Sequence, residues 1–218
     1  MNSTALEALR RAFRELAPDR SLRAVILAGR GRTFCGGAER QELSALTAQT
    51  AGAFAGRIHE ACQAIRELPV PVIARLHGAV IGAGLEIAAA CDLRVAAEGT
   101  KFAMPEVRLG IPSVVEAALL PRLMGSGRAA WLVLTGEAID AARALQWGLV
   151  EEMAGDPDSR LQALLKSVLA ADREALRIQK QLLQLWDEAS LATSVAASVE
   201  RFAQIHTTIA SGLRGRKD

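Results

Sequence analysis

Cysteine is scarce in this 218-residue chain. The three present, Cys35, Cys62 and Cys91, are odd in number and widely spaced, and no CxxC pair occurs. This usage argues against a disulfide framework and fits a reducing compartment. We therefore expect the chain to be cytoplasmic.

Long apolar runs and a strong charge of either sign are also missing. No stretch of about 18 apolar residues is free of charges, so we expect no membrane span. The first residues, MNSTALEALRRAF, lack a basic-then-apolar leader, so we expect no signal peptide. The 26 Lys and Arg residues nearly balance 24 Asp and Glu, which does not favour nucleic acid as a partner. We interpret the basic tail, Arg214, Arg216 and Lys217, as a solvated chain end.

Half of the residues are hydrophobic and 23% are charged, which is typical of a globular protein. The length suits one well-buried domain with a helical appendage. Strand and helix patterns alternate as far as Asp156-Pro157-Asp158, and only helical patterns follow. We therefore predict an α/β core over 1–154 and a helical region over 155–218.

Apolar periodicity predicts the elements that lead to and follow the centre of the chain. A capping box of Thr4 and Glu7 starts a helix that Pro18 stops. The nearly continuous apolar run 22–28 predicts a strand covered on both faces, and 70–76 predicts a second buried strand. Helices are predicted over 45–68 and 112–125, each ending at proline or glycine.

The glycine-rich loop 29–38 has three readings. A phosphate cradle is disfavoured because neither GxxxxGK[ST] nor GxGxxG is present. A plain turn is one alternative. The other is a backbone that approaches a ligand closely, with the amide of Ala38 as a hydrogen-bond donor. The loop alone does not decide between the last two.

The stretch 77–110 carries the strongest chemical signal. Its glycines precede the apolar run that starts at Leu85, which is how a strand turns into a helix. A helix start offers unpaired N–H groups to an anion, and Glu86 lies in that first turn. Glu106 follows a strand-like segment and a short connection. Two carboxyl groups and anion-ready amides suit proton transfer beside a carbonyl whose oxygen becomes negative.

Each acid also has a plainer interpretation. Glu86 alone is a helix-start glutamate that favours the dipole, and Glu106 alone is a capping or ion-paired loop residue. Glu116 is a third acid that either joins the site or forms a surface ion pair. We interpret His59 and His77 as structural or surface residues, because neither has a nearby partner pattern.

Five segments in order resemble the enoyl-CoA hydratase/isomerase family, also called the crotonase family. The five segments, of which the helical tail is the last, cover nearly the whole chain. The segments are VILAGRGRTFCGGA, PVIARLHGAVIGAGLEIAAACDLRVA, FAMPEVRLGIP, LTGEAIDAARALQWGLVEEM and the apolar helices after them.

The resemblance implies an α/β, crotonase-like spiral of ββα units with a helical C-terminal oligomerisation region. Ala38 and Ala83 match the two backbone oxyanion-hole donors of the family. Glu86 and Glu106 match the two catalytic glutamates of its hydratases. Having both acids favours addition of water across the C2=C3 bond of a 2-enoyl-CoA, with Glu86 on the water side and Glu106 at C2.

The resemblance also implies a substrate site, with coenzyme A present only as part of an acyl-CoA substrate and no metal. It implies a homotrimer or a hexamer. Family members start with a β-hairpin that this chain is expected to lack. The implied substrate-binding residues are Glu39, Arg40, Gln41, Met104, Leu109, Ile111 and Val115. For the four apolar residues among them, core packing is an equal alternative.

Three rivals to a hydratase remain on the same fold. An isomerase needs only one glutamate and the oxyanion hole. A thioester hydrolase is less favoured, because Ser113 stands where such members tend to have aspartate. A catalytically silent scaffold protein is the third, and the glutamate pair argues against it.

Overall fold

The computed structural model describes the backbone of residues 1–214 and the side chains of residues 1–206. The predictions for Arg216 and Lys217 lie outside the described residues, as does the side chain of Arg214. The chain divides into two compact units, one formed by Met1–Val168 and a second that starts at Leu169.

The first unit contains two small sheets. Their strands are β1 (Val25–Ala28), β2 (Val72–Leu76), β3 (Ala79–Ile81), β4 (Leu93–Ala97), β5 (Lys101–Ala103), β6 (Ile139–Asp140) and β7 (Glu152–Ala154). One sheet has the order β1-β2-β4-β7 and is parallel throughout, with Val25 opposite Val72 and Ile73 opposite Leu93. In the other, of order β3-β5-β6, β3 and β5 are parallel and β6 is antiparallel to β5. Parallel neighbours require crossover connections, which the helices provide.

The helices of the chain follow the predicted order. They are α1 (Ser3–Leu16), α2 (Arg40–Ser44), α3 (Ala51–Glu67), α4 (Ala83–Ala90), α5 (Leu120–Met124), α6 (Ser126–Thr135), α7 (Ala141–Trp147), α8 (Pro157–Ala170), α9 (Arg173–Glu188) and α10 (Leu191–Arg214). Short 3-10 helices span Glu106–Leu109 and Val115–Leu119. None of the helices within residues 1–214 combines the length and the apolar character needed to cross a bilayer.

Every residue of α4 is buried, including Glu86. The helix is short and rich in alanine, so neighbouring elements approach it closely and cover it on all sides. Leu85 and Ala88 are fully buried in the main apolar cluster. The fold therefore encloses the helix that carries one of the two candidate acids.

Local details differ from the sequence prediction where side chains compete with the backbone. Asn2, not Thr4, caps α1, because its side-chain oxygen accepts from Ala5 N at 3.0 Å. The helix predicted over 45–68 begins only at Ala51, since Thr50 Oγ1 accepts from Thr47 N and forms a turn before it.

The strand predicted over 22–28 is shorter and more exposed than expected. It starts at Val25, because Pro71 has no N–H and the parallel ladder begins at Val72. It is an edge strand with alternating burial, and the Ile26 side chain is largely solvent-facing. The prediction that both faces are covered was therefore wrong.

The helix predicted over 112–125 is broken into a 3-10 helix and α5. Val115, its first residue, has φ of 41°, a left-handed conformation that a β-branched residue rarely adopts. The short strands β3 and β5 were also missed, because three residues carry too little alternation to be recognised.

Helix α8, which the sequence prediction assigns to the helical region, packs on the parallel sheet. Leu161 of α8 packs on Ile73 and Val95 of the parallel sheet. Arg75 of β2 donates to both carboxylate oxygens of Asp158 at 2.6 Å. These contacts include α8 in the first unit, which extends to Val168.

A buried arginine joins β4 to the segment before β7. Arg94 is 2% exposed, and its guanidinium donates to Cys91 O at 2.8 Å and Leu149 O at 3.0 Å. Glu151 accepts from both the side chain and the backbone N of Arg94. The two carbonyl partners belong to the buried residues Cys91 and Leu149, whereas the Glu151 side chain is 34% exposed. Losing the cation would therefore leave two buried acceptors unpaired.

We predict that Arg94→Met lowers the free energy of unfolding by about 3 kcal/mol, because two buried carbonyl oxygens lose their charged donor. Urea unfolding followed by circular dichroism measures the change. Arg11→Met is the matched control, since Arg11 is exposed and its nearest carboxylate oxygen, on Glu15, is 3.8 Å away. A loss for Arg94→Met no greater than that for the control would contradict the structural role.

Candidate active site

A glycine with positive φ precedes each of the two candidate donor amides, those of Ala38 and Ala83. Gly37 has φ of 95° and precedes Ala38, and Gly82 has φ of 52° and precedes Ala83. Both conformations suit glycine because no Cβ obstructs them. Within the described residues, neither Ala38 N nor Ala83 N donates a hydrogen bond to the protein. Both amides are therefore available to a ligand.

A short backbone pairing brings the two glycine turns together. Cys35 N donates to Ala79 O, and Ile81 N donates to Cys35 O, each at 3.0 Å. Gly84 allows this approach, because a Cβ there would lie 2.6 Å from Cys35 O. The loop after β1 is thus attached to β3 and to the start of α4.

Glu86 lies in the first turn of α4, three residues after Ala83. The residue is 4% exposed, and its Oε1 accepts from the backbone N of Ala117 at 3.2 Å. Ala117 belongs to the 3-10 helix Val115–Leu119, which packs on α4. The acid is therefore positioned from one side by its own helix and from the other by a backbone amide.

Glu106 reaches the same place from the end of β5. Ser113 Oγ donates to Glu106 Oε2 at 3.0 Å. The other oxygen, Oε1, lies so close to Gly82 that a Cβ on this glycine would be 2.3 Å from it. Gly82 therefore both turns the Ala83 amide and makes room for the second carboxyl.

Burial dominates the electrostatics of Glu86. It raises the pKa of this carboxyl to about 8, and the negative charges of Glu106 and Glu116 raise it as well. The hydrogen bond from Ala117 acts in the opposite direction, because it favours the ionised form. At neutral pH the Glu86 carboxyl in the free protein therefore holds a proton.

All four central residues line one cavity of about 530 Å³: Ala38, Ala83, Glu86 and Glu106. The remaining wall is mostly apolar and includes residues of α2, of α3 and of the segment between them that the sequence analysis did not select. Signals for them existed in the apolar spacing along α3, but spacing does not show which apolar residues face a cavity. These additional wall residues are Leu43, Leu46, Phe54, Ala55 and Ile58.

Only some of the predicted substrate-binding residues lie in the cavity wall. Arg40, Leu109 and Ile111 do. Met104 is fully buried in the core, which was its alternative interpretation. The left-handed turn at Val115 places Val114, not Val115, in the wall.

Glu39, directly before α2, and Gln41, within α2, lie outside the wall. Glu39 accepts from Asn2 Nδ2 at 2.9 Å, and its backbone N donates to Met1 O. It therefore ties the loop to the chain start instead of facing the cavity.

His59 and His77 each have a partner that lies far away in the sequence. His77 Nε2 lies 3.0 Å from Gly31 O. His59 Nδ1 lies 2.7 Å from Glu116 Oε1. Glu116 is buried, and the side chains of the described residues include no group of three or more potential ligands positioned to hold a metal ion.

Comparison with known proteins connects this geometry to one family. The family model described as "Enoyl-CoA hydratase/isomerase" matches residues 1–213. A Bacillus subtilis protein named "Probable enoyl-CoA hydratase" is 37% identical over 72% of this chain, and the match spans 61% of that relative. The "Short-chain-enoyl-CoA hydratase" of Clostridium acetobutylicum is 29% identical over 95% of this chain and 81% of its own length.

Solved structures confirm the predicted crotonase-like α/β fold. An enoyl-CoA hydratase of Mycobacterium smegmatis superposes with a TM-score of 0.89 at 32% identity, covering 93% of this chain and 80% of that one. An enoyl-CoA hydratase of Bacillus anthracis gives a TM-score of 0.86 at 28% identity, covering 91% and 78%. The chain belongs to the enoyl-CoA hydratase/isomerase family.

Proposed function

We propose that this protein is an enoyl-CoA hydratase that adds water across the C2=C3 bond of a 2-enoyl-CoA thioester. The observation that carries the proposal is the meeting of two unpaired backbone amides and two carboxyls in one cavity. Hydratase names among the relatives support the same reaction class. Acyl-CoA is then the substrate, and no permanently bound cofactor takes part.

The amides of Ala38 and Ala83 polarise the thioester carbonyl. As water attacks C3, negative charge moves onto the thioester oxygen, which accepts from both N–H groups in the proposed complex. Each donor of this kind contributes about 3–4 kcal/mol in the transition state. Their effect needs no side-chain motion, because each amide is fixed by the glycine turn before it.

The two glutamates supply and remove the protons of the reaction. One carboxylate takes a proton from water as its oxygen bonds to C3, and one carboxylic acid gives a proton to C2, so the pair keeps its total of one proton. The buried Glu86 holds that proton in the free protein. Because family resemblance assigns Glu86 to water and Glu106 to C2, this proton passes from Glu86 to Glu106 before the addition. Glu86 is then the carboxylate that takes a proton from water, and Glu106 is the acid that protonates C2.

The apolar wall formed by Leu43, Phe54 and Ile58 suits an acyl chain in contact with carbon instead of water. Assembly as a homotrimer or a hexamer through the predicted helical region, 155–218, remains part of the proposal. A cytoplasmic location likewise remains a prediction.

We predict that Glu86→Gln and Glu106→Gln each reduce kcat for crotonyl-CoA hydration at least about 100-fold, because each removes a general acid or base. Loss of the enoyl thioester absorbance measures turnover. Glu15→Gln is the matched control, because Glu15 is exposed on α1 and should leave kcat unchanged.

Turnover in either glutamine variant equal to that of the unchanged protein would contradict the two-acid mechanism. A parallel assay with a 3-enoyl-CoA separates hydration from isomerisation. If the 3-enoyl-CoA is consumed and Glu86→Gln retains that activity, the protein is an isomerase that uses Glu106 alone.

We predict that kcat/KM falls as the pH rises through about 8, because the free enzyme then loses the proton held by Glu86. The profile is measured with crotonyl-CoA between pH 5.5 and 9.5, roughly the range that brackets this ionisation. A profile that stays flat across pH 8 would show that the Glu86 proton is not used.

Unfolding provides a control that does not depend on turnover. The folded pKa of Glu86 lies above its unfolded value of 4.5, so its contribution to stability is complete below that value and is lost as the pH rises through about 8. Compared with Glu86→Gln, the unchanged protein should therefore lose stability between these two pH values.

A further inference from the structure

A carboxyl–imidazole contact lies behind Glu86, outside the cavity wall. Glu116, the second residue of the 3-10 helix Val115–Leu119, is 6% exposed. Its Oε1 is 2.7 Å from Nδ1 of His59 on α3. Within the described residues, its buried Oε2 has no hydrogen-bond partner. His59 is thus the contact that keeps this buried acid in its orientation.

The chain directly connects Glu116 to the amide that holds Glu86. Ala117 follows Glu116, and its N–H is shared between Val114 O at 3.0 Å and Glu86 Oε1 at 3.2 Å. Any rotation of the backbone at Glu116 therefore changes the direction of that N–H. The His59 contact lies one peptide unit away from the hydrogen bond that orients a candidate catalytic carboxyl.

The backbone at this point needs to be held. Val115, directly before Glu116, has φ of 41°, and β-branched residues avoid that region. Such a conformation persists only where surrounding contacts impose it. The 3-10 helix packs on α3 and α4, and His59–Glu116 is a polar contact that ties it to α3.

We propose that His59 and Glu116 are positioning residues of this enzyme, which hold the strained turn at Val115 so that the Ala117 amide points at Glu86. The inference rests on the proposed hydratase function for its consequence in catalysis. Neither residue touches the cavity, so both act through the Ala117 amide.

Several ionisable groups surround this contact. His59 and Cys62 face it from α3, and Glu86 faces it from α4, with Glu106 beyond. Burial, and then the charge of Glu116, raises the pKa of the Cys62 thiol, which stays neutral.

The matched variants are His59→Ala and His59→Asn. Asparagine places an N–H donor near the position of the imidazole Nδ1, whereas alanine has none. His59 has a half-exposed side chain on the surface of α3, so both variants are expected to fold. Glu60→Ala, at the next and exposed position of the same helix, controls for helix changes, since Glu60 lies 3.6 Å from Arg10 Nε and makes no contact with Glu116 in the part of the chain that the structure describes.

We predict that His59→Ala lowers kcat for crotonyl-CoA at least about 10-fold, because the catalytic carboxyl loses its fixed direction. KM should stay unchanged, because the amides and the cavity wall are untouched. His59→Asn should restore kcat to within about 3-fold of the unchanged protein, since the contact to Glu116 is retained. Equal kcat in all three proteins, or no restoration by asparagine, would overturn the proposal.

A carboxyl-carbon NMR titration tests the same inference without turnover. In protein labelled at glutamate, the Glu86 signal is identified by its loss in Glu86→Gln. His59→Ala should raise the pKa of Glu86 further, because the Ala117 hydrogen bond, which lowers this pKa, is weakened. His59→Asn and Glu60→Ala should leave it unchanged.

The two proposals fail in different ways. If the unchanged protein does not hydrate crotonyl-CoA, the proposed function fails, while the NMR titration still decides the inference about His59 and Glu116. If the protein hydrates crotonyl-CoA but the pKa of Glu86 is the same in His59→Ala, the hydratase stands and the positioning role is wrong.

Discussion

The site depends on the backbone pairing between the loop after β1 and strand β3. Two hydrogen bonds, Cys35 N to Ala79 O and Ile81 N to Cys35 O, bring two distant glycine turns side by side. Gly84 permits the contact because a Cβ at this position would lie 2.6 Å from Cys35 O. Without this pairing, each turn would present one amide to solvent, and no single oxygen could accept from both.

Burial of α4 is the second constraint, and it follows from the first. Once the loop covers the start of the helix, and α3 and the 3-10 helix cover its sides, Glu86 lies away from water. Desolvation then makes the neutral carboxyl the stable form at neutral pH. Packing that stabilises the core thus also prepares one of the two acids for proton transfer.

Much of the fold and the centre of the site could be predicted from sequence. Ala38, Ala83, Glu86 and Glu106 stand in short segments where glycines and an apolar helix follow one another, so the local pattern carries the signal. What remained hidden depends on tertiary contacts. His59 and Glu116 are 57 residues apart, and no local pattern indicates that they meet. Val115 was selected instead of Val114 because a helical pattern does not reveal a reversed φ.

The oxyanion donors of this chain are main-chain groups, and this affects how the site can change by mutation. Every residue except proline carries the same N–H, so replacing the methyl group of Ala38 or Ala83 leaves the donor itself in place. The positions that do not tolerate substitution are the preceding glycines, above all Gly82. A side chain there would have an unfavourable φ and would clash with the carboxyl of Glu106. Natural variants can thus reshape the lining beside the reacting carbonyl while its polarising groups persist, whereas a single codon change at a neighbouring glycine disturbs one donor and one acid together.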